Sequence, residues 1–231
     1  MWSFSGCPPS LEMPDGKITA TRSRLDRYIA ENVAQTVATL DQYSIERYDQ
    51  FADHLPAGAI NVLDVGCAEG RGGAQLKMRR PEIVLTGLDC VPERLRALPP
   101  AYSGRIEGLT TEIPLPDRSE DAVVAGEFIE HLYPGDVDQT LCEFQRILAV
   151  GGMLLMTTPN PDSLKLRLRR GTVLDVGHFT QHFHDVLSLR LRLHGFRRVK
   201  VRGSGKATRY FGEKIPFLSL YGSYLITALK I

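Results

Sequence analysis

The segment 62–73, which reads VLDVGCAEGRGG, constrains the fold of this chain of 231 residues more than any other part. The run 62–65 predicts a buried strand, and the glycines from Gly66 to Gly73 predict a tight turn that runs into a helix. A strand, a glycine-rich turn and a helix in this order are typical of α/β sheets that bind an adenosine-containing ligand at the carboxyl end of the first strand. The segment therefore predicts an α/β fold with a ligand site at this turn.

Asp64 lies two residues before the first glycine of the pattern Asp64-x-Gly66-x-Ala68-x-Gly70. A dinucleotide places a pyrophosphate at such a turn, where a carboxylate would repel it. S-adenosylmethionine instead carries a cationic amino group and a sulfonium, which a carboxylate attracts. The turn therefore favours S-adenosylmethionine over NAD, although an ordinary strand-to-helix turn is the alternative. We expect the extra methyl group of Ala68, which replaces the usual middle glycine, to be tolerated.

The rest of the chain alternates between apolar strands and helices, which indicates a mainly parallel sheet covered on both faces. Strands are predicted near 60–65, 83–89, 104–108, 121–126, 153–158, 196–202 and 224–230. Helices are predicted near 71–79, after Pro92, and near 136–149 and 184–194. The helix near 136–149 is expected to end at Gly151-Gly152. Apolar residues spaced by three to four, Val37 and Leu40 among them, predict a further helical stretch over 22–54. We divide the chain into a loose arm (1–21), a helical segment (22–57) and an α/β domain (58–231).

The formal net charge of +1 conceals a strong charge asymmetry along the chain. Residues 163–214 contain 13 Lys or Arg against three acidic residues, whereas residues 1–162 contain 14 against 24. Such an asymmetry favours a basic surface that meets an anionic or phosphate-bearing acceptor. The alternative is an ordinary solvated surface.

The cysteines and the apolar runs bear on the location of the chain. The four cysteines show neither a CxxC pattern nor metal-ligand spacing, which favours a reduced, cytoplasmic protein. No apolar run reaches about 18 residues, so no membrane span is predicted. Residues 1–17 lack a positively charged leader, which indicates a loose arm and not a signal peptide.

The order of elements and motifs resembles the class I S-adenosylmethionine-dependent methyltransferases over about 43–230. The motifs are VLDVGCAEG (62–70), LTGLD (85–89), EIPLPDRSEDAVV (112–124), GEFIEHL (126–132) and LAVGGMLLMTTPN (148–160). The resemblance implies a Rossmann-like, seven-stranded, mainly parallel sheet with helices on both faces, plus N-terminal helices. It also implies that the last strand is antiparallel and lies between the fifth and sixth. Within the family, the Glu-x-x-Glu-His run is similar to that of surface-glycan and ubiquinone-pathway O-methyltransferases.

The resemblance implies cofactor roles for individual residues. Asp89 matches the acid that binds both ribose hydroxyls, for which a carboxylate suits because it accepts two hydrogen bonds side by side; a helix N-cap is the alternative. Cys90 and Val91 would flank the adenine, and Gly126 and Glu127 would lie against the methionine end. The expected cofactor-binding set is Asp64, Gly66, Cys67, Ala68, Gly70, Asp89, Cys90, Val91, Leu109, Thr110, Gly126 and Glu127.

Two positions depart from the family pattern, and one upstream element agrees with it. Leu109 stands where the family usually has an aspartate at the adenine edge, and Glu120 replaces an aromatic residue. The hydrogen bond to the adenine edge is then either absent or supplied by Thr110 or Thr111. Arg47 and Tyr48 resemble a helical element that closes over the methionine in many relatives.

The run 126–132 supplies the expected catalytic residues. Glu127, Glu130 and His131 stand at i, i+3 and i+4, so they share one face if a helical turn forms here. His131, assisted by Glu130, is the expected general base, because an imidazole titrates near pH 7. The alternative is that Glu130 and His131 only shape the pocket.

A divalent metal ion is a further hypothesis for this run. Two carboxylates and an imidazole, joined by a distant histidine, form a plausible ligand set. The distant candidates are His178, His182 and His184, and we take Glu127, Glu130, His131 and His182 as the expected set. This layout resembles the small-RNA 2′-O-methyltransferases.

These observations favour an S-adenosylmethionine-dependent enzyme that O-methylates a small-molecule or glycan-precursor hydroxyl. Leucines alternate with Lys or Arg over 164–169, which is poor for a helix face and favours a mobile lid over an anionic acceptor. The alternatives are an RNA 2′-O-methyltransferase with a metal site, although no strong nucleic-acid signal is present, a non-catalytic cofactor-binding partner subunit, and a dehydrogenase. Residues 1–42 are a candidate homodimer contact.

Overall fold

The structure is a computed structural model that describes residues 16–33 and 42–231, and its centre is a seven-stranded sheet. The first half contains α1 (Gly16–Val33), α2 (Gln42–His54), β1 (Asn61–Val65), α3 (Arg71–Arg79), β2 (Val84–Asp89), α4 (Pro92–Arg96), β3 (Gly104–Glu107) and β4 (Glu120–Gly126). The second half contains a 3-10 turn (Ile129–His131), α5 (Val137–Ile147), β5 (Leu148–Pro159), α6 (Leu164–Arg169), α7 (His184–Leu193), β6 (Phe196–Ser204), α8 (Thr208–Phe211), a second 3-10 turn (Leu218–Leu220) and β7 (Ser223–Lys230).

The strand order is β3-β2-β1-β4-β5-β7-β6, and β7 lies between β5 and β6, as the resemblance implied. The first five strands pair in parallel, and β7 pairs antiparallel with both β5 and β6. The order in which successive strands are added to the sheet reverses at β1, which has β2 on one side and β4 on the other. Open α/β sheets bind ligands in the crevice outside the carboxyl ends of the strands at such a point. The predicted Rossmann-like fold is confirmed.

The sheet is buried on both faces because its strands are almost continuously apolar. On one face, Leu63, Val123 and Leu154 pack with Leu141 of α5 and Leu191 of α7. On the other face, Val62, Leu85 and Val124 pack with Phe51 of α2 and Leu76 of α3. Two separate apolar cores therefore hold the strands in register and leave the strand ends free to build a site.

Several element bounds differ from the sequence prediction. The helical stretch expected over 22–54 contains α2 and most of α1. α1 begins at Gly16, inside the expected loose arm, and residues 34–41, with Val37 and Leu40, lie outside the described residues. Residues 1–15 also lie outside them. The pair Gly151-Gly152 does not end a helix, because α5 already ends at Ile147 and the pair lies within β5, where the pairing with β4 is irregular.

Residues 164–169, whose alternating leucines did not favour a helix, form the short helix α6. The side chain of Ser163 accepts a hydrogen bond from the backbone N–H of Leu166, which caps the start of this helix. Arg170 adopts φ +49° and ends it. Local capping therefore outweighs the alternating pattern, which on its own does not favour a helix.

Within residues 16–33 and 42–231, no helix combines the length and the apolar character required to cross a bilayer.

Candidate cofactor and catalytic site

A cavity of about 320 Å³ lies at the carboxyl ends of β1, β2 and β4. Its size falls in the range of small-molecule and cofactor sites. Ten of the residues predicted to form the site line it: Gly66, Cys67, Ala68, Asp89, Cys90, Leu109, Thr110, Gly126, Glu127 and His131.

The turn after β1 leaves no space for larger side chains. Gly66 has φ +65°, and a Cβ atom there would lie 2.5 Å from the Phe128 ring. Gly70 has φ +78°, and a Cβ atom there would lie 2.7 Å from Leu98, Pro99 and Tyr102. Ala68 also lies in the left-handed region, at φ +47°, although it is not glycine. The turn tolerates Ala68 as expected, but at a conformational cost.

Asp89 lies at the end of β2 and is 4% exposed. Its Oδ2 accepts a hydrogen bond from the backbone N–H of Ala68 over 3.0 Å, and its Oδ1 accepts one from that of Val91 over 2.8 Å. Each oxygen retains a second lone pair. The carboxylate is thus fixed in orientation at the cavity wall and can still accept two hydrogen bonds, as a ribose requires.

Asp64 does not face the cavity, which corrects the prediction that its carboxylate attracts the ligand. The residue is fully buried, and its two oxygens accept hydrogen bonds from the hydroxyls of Tyr48 and Tyr102. Burial raises the pKa of Asp64 to about 7, although both tyrosine hydrogen bonds oppose this shift. The buried carboxyl group of Asp64 therefore stabilises the turn through its two hydrogen bonds. The preference for S-adenosylmethionine over NAD cannot be argued from the charge of Asp64.

Two further residues of the predicted set do not line the cavity. Gly70 packs against the side of the turn that faces away from it, next to Tyr102. Val91 is buried in the protein, and its contribution is the backbone hydrogen bond to Asp89. Both residues therefore shape the site without reaching a ligand. Thr110 does line the cavity, and its hydroxyl is hydrogen-bonded to that of Thr140 over 2.7 Å.

Glu127 follows β4 with φ +49°, so it is not the first residue of a helical turn. Its backbone N–H is bonded to Thr157, and its Oε2 accepts a hydrogen bond from the hydroxyl of Ser223 over 3.3 Å. Its Oε1 lies 3.5 Å from Nε of Arg47. The expectation that Glu127, Glu130 and His131 share one helical face is wrong. The backbone of Glu127 lies in the left-handed region, which is incompatible with a right-handed helical turn that begins there.

His131 lines the cavity, and its orientation is fixed. Its Nδ1 lies 2.7 Å from the carbonyl oxygen of Gly177. A carbonyl oxygen can only accept, so Nδ1 carries the proton and Nε2 offers a lone pair. Burial lowers the pKa of His131, with the Gly177 hydrogen bond opposing it. The imidazole is therefore neutral near pH 7.

Glu130 does not line the cavity and is 1% exposed. Its Oε2 accepts a hydrogen bond from the hydroxyl of Thr158 over 3.1 Å, whereas its Oε1 has no hydrogen-bond partner among the described residues. Burial, together with the charge of Glu127, raises the pKa of Glu130 well above its usual range. The catalytic role of Glu130 therefore stays a prediction.

Glu130, His131 and His178 form a cluster whose potential metal-ligating atoms all lie within 4.8 Å of one another. Nδ1 of His178 is engaged by the carbonyl oxygen of Val173 over 2.9 Å, which leaves Nε2 free, as in His131. Two imidazoles and one carboxylate are a ligand set that fits a divalent cation. The expected set is thereby corrected: Glu127 and His182 are outside the cluster. Nε2 of His182 is 2.9 Å from the hydroxyl of Thr180, and burial lowers its pKa to about 4.

Sequence reasoning missed the contribution of α1 to the site. Tyr28 and Asn32 of this helix line the cavity. The hydroxyl of Tyr28 donates to Asp136 over 2.7 Å and accepts from the backbone N–H of Tyr133 over 2.9 Å. The guanidinium of Arg94 donates to the carbonyl oxygen of Asn32. The helix therefore covers the site and is held there by polar contacts, for which the apolar spacing of α1 gives no signal.

Comparisons with known proteins agree with this geometry. Residues 63–156 match the family described as a methyltransferase domain. The chain is 33% identical over 135 residues to malonyl-[acyl-carrier protein] O-methyltransferase 1 of Coxiella burnetii, an alignment that covers 58% of this chain and 45% of that protein. It is 32% identical over 126 residues to the fatty-acid O-methyltransferase of Mycolicibacterium smegmatis, covering 53% and 45%.

Solved structures of methyltransferases share this fold. A SAM-dependent methyltransferase from Archaeoglobus fulgidus superposes with a TM-score of 0.64 at 23% identity, covering 80% of this chain and 92% of the other. This likeness shows the fold alone. The chain spans about half the length of the curated relatives it matches.

Proposed function

Because residues 63–156 form a class I S-adenosylmethionine-dependent methyltransferase domain, we propose that this chain is a cytoplasmic enzyme that methylates a hydroxyl group of a small-molecule or glycan-precursor acceptor. The methyl group passes from the sulfonium to the hydroxyl oxygen; the C–S bond breaks, the O–CH₃ bond forms, and the hydroxyl proton leaves. The names of two relatives, both O-methyltransferases, favour oxygen as the acceptor atom.

One observation carries this proposal: a neutral imidazole lines the same cavity as the cofactor-binding turn. Nε2 of His131 is free, and the hydrogen bond from Nδ1 to Gly177 keeps the ring in place. The ring can therefore take the proton of an acceptor hydroxyl as the methyl group arrives, which is the role of a general base. Glu127, held by Ser223 and facing Arg47, lines the same end of the cavity. Its position suits the ammonium group of the cofactor.

The experiment that tests this proposal is methyl transfer from S-adenosylmethionine to a panel of hydroxyl acceptors, with His131→Gln as the variant. Loss of a general base typically costs 10²- to 10⁴-fold in rate. We expect a loss in kcat within this range and an unchanged KM for the cofactor. His194→Gln is the matched control, since His194 precedes β6 at the opposite edge of the sheet and bonds Asp138. Equal activity of the two variants would contradict the base role.

An anionic acceptor stays a prediction from the charge asymmetry of the sequence. Arg47, Arg71 and Arg94 line the cavity. Each already faces one carboxylate, those of Glu127, Glu69 and Asp89 in turn, so the charges of the cavity wall balance. A homodimer through residues 1–42 stays a prediction. The part of this range that forms α1 packs over the cavity of its own chain.

A second candidate function, metal-assisted methylation such as that of an RNA 2′-hydroxyl, is favoured by the cluster of Glu130, His131 and His178. A divalent cation held there would lower the pKa of the acceptor hydroxyl. Calorimetric titration with Mn²⁺ tests it: binding by the wild type that is lost in His178→Gln and kept in His182→Gln supports the cluster. Absence of Mn²⁺ binding by the wild type would exclude this candidate.

The non-catalytic alternative makes a different prediction. A cofactor-binding partner subunit would bind S-adenosylhomocysteine as well as the enzyme does but would transfer no methyl group to any acceptor. Its His131→Gln variant would then bind a partner protein unchanged. Turnover by the purified chain would exclude this alternative.

A further inference from the structure

α6 presents an apolar ridge that faces away from the protein. Residues four apart lie one above the other on a helix, so Leu164 and Leu168 share one side while Leu166 lies on the other. Leu168 is 76% exposed and Leu164 is exposed as well, whereas Leu166 is half-buried against Gly171. Leu166 therefore anchors the helix, and the two outer leucines are exposed to solvent.

Two further exposed apolar side chains lie in segments next to α6 in the chain or in the fold. Val176, in the loop that follows α6, is 92% exposed, and Phe217, next to the second 3-10 turn, is 67% exposed. That 3-10 turn packs against α6. We call Leu164, Leu168, Val176 and Phe217, together with the basic residues of α6 and its C-cap, the docking surface.

The basic residues of the docking surface flank the leucine ridge. All four are exposed, and none of their side chains forms an ion pair within residues 16–33 and 42–231; they are Lys165, Arg167, Arg169 and Arg170. Asp162 and Asp175 are the acidic residues nearest in sequence on either side. Apolar side chains bordered by unpaired cations are the composition of a surface that inserts into the headgroup region of an anionic bilayer.

A comparison with α7 shows that exposed leucines do not always lie beside several unpaired cations. α7 also exposes leucines four apart, Leu189 and Leu193. There, however, Arg190 lies 2.6 Å from Asp138, so Arg192 is the one arginine of α7 without an ion pair among the described residues. The docking surface differs from α7 in its four cations without an ion pair, and this density of positive charge selects the partner.

The docking surface and the cavity lie at the same edge of the sheet. Gly126, which lines the cavity, pairs with Thr157 of β5, and α6 begins soon after β5 ends. The loop with Val176 runs on to Gly177, whose carbonyl oxygen accepts the hydrogen bond from His131. A planar partner bound at the docking surface would therefore face the mouth of the cavity.

We propose that this surface docks the protein on bilayers that contain anionic phospholipids. The leucines, Val176 and Phe217 enter the interface, and the four cations contact the phosphate groups. Docking itself is independent of catalysis. Its consequence, that the acceptor reaches His131 from the membrane, rests on the proposed function.

Co-sedimentation with vesicles tests the docking. We expect the wild type to sediment with phosphatidylcholine vesicles that contain phosphatidylglycerol, to sediment poorly with pure phosphatidylcholine, and to be released by salt. The double variant Leu164→Ser, Leu168→Ser should bind anionic vesicles at least tenfold more weakly, and so should Lys165→Gln, Arg167→Gln. The control Leu189→Ser, Leu193→Ser should bind like the wild type.

Each contrary outcome overturns the proposal. A wild type that ignores anionic vesicles but binds an immobilised acidic carrier protein assigns the surface to a protein partner. Equal losses of vesicle binding in the α6 and α7 variants would mean that binding depends on exposed leucines in general and not on the docking surface. S-adenosylhomocysteine binding is measured on every variant: if it is intact while vesicle binding is lost, the fold and the cofactor site are sound, and failure of docking is separate from failure of the proposed function.

Discussion

The hydroxyl of Tyr48 donates a hydrogen bond to Oδ1 of Asp64 over 2.6 Å, beneath the turn that follows β1. Tyr102 donates to the other oxygen of the same carboxyl group. A residue whose sequence position pointed to the ligand therefore serves to join α2 and the segment before β3 to the base of the cofactor site. Its environment makes the turn sensitive to pH.

Asp64 makes the stability of the protein fall as the pH rises. Burial raises its pKa from 3.8 to about 7. Between these values the folded protein keeps a proton that the unfolded chain has lost, so the free energy of unfolding decreases across this window. The contribution is on the order of 4 kcal/mol. Denaturation of the wild type and of Asp64→Asn between pH 4 and pH 7 measures it. The variant should lack this decrease, and parallel curves would show that Asp64 does not titrate in this range.

Ala68→Gly should stabilise the protein. Ala68 has φ +47°, and an L-residue in the left-handed region costs about 1–2 kcal/mol. Glycine removes this cost but adds unfolded-state entropy, so we expect a net gain of about 1 kcal/mol in the free energy of unfolding. Urea denaturation measures it. Ala74→Gly, inside α3, is the control and should lose about 1 kcal/mol. A loss in both variants would argue against strain at Ala68.

Tyr28→Phe should loosen the helix that covers the cavity. The substitution removes the hydroxyl that bonds Oδ2 of Asp136 and the backbone N–H of Tyr133, while Arg24 still pairs with Oδ1 of Asp136. The expected cost is about 1–3 kcal/mol. Because α1 lines the cavity, S-adenosylhomocysteine should dissociate faster, which stopped-flow fluorescence can follow. Tyr210→Phe removes a hydroxyl from a side chain that is 81% exposed, and it should leave the rate unchanged. Equal rates in all three proteins would mean that α1 does not retain the ligand.

The fold was predictable because its determinants are local. Each parallel strand is a short apolar run, and the glycine-rich turn after β1 can adopt few other structures. Cavity-lining residues that end a strand, such as Asp89 and Gly126, were predictable for the same reason: their place at the carboxyl edge follows from the strand to which they belong.

The errors arose where distant residues decide the environment. Asp64 is 16 residues from Tyr48 and 38 from Tyr102, and neither contact leaves a pattern in the sequence around it. Glu130 and His131 are adjacent, yet one faces Thr158 and the other faces the cavity, because the helical turn begins only after Glu127. Tertiary contacts of this kind determine the chemistry of the site and cannot be derived from spacing alone.

The central claim is that Asp89 holds the adenosine part of S-adenosylmethionine, and calorimetric titration with S-adenosylhomocysteine tests it most directly. The matched control for Asp89→Ala is Asp121→Ala, because Asp121 also accepts two backbone hydrogen bonds but lies at the opposite end of the sheet. We predict micromolar binding by the wild type and by Asp121→Ala, and binding at least tenfold weaker by Asp89→Ala. No binding by the wild type, or equal binding by both variants, would contradict this account.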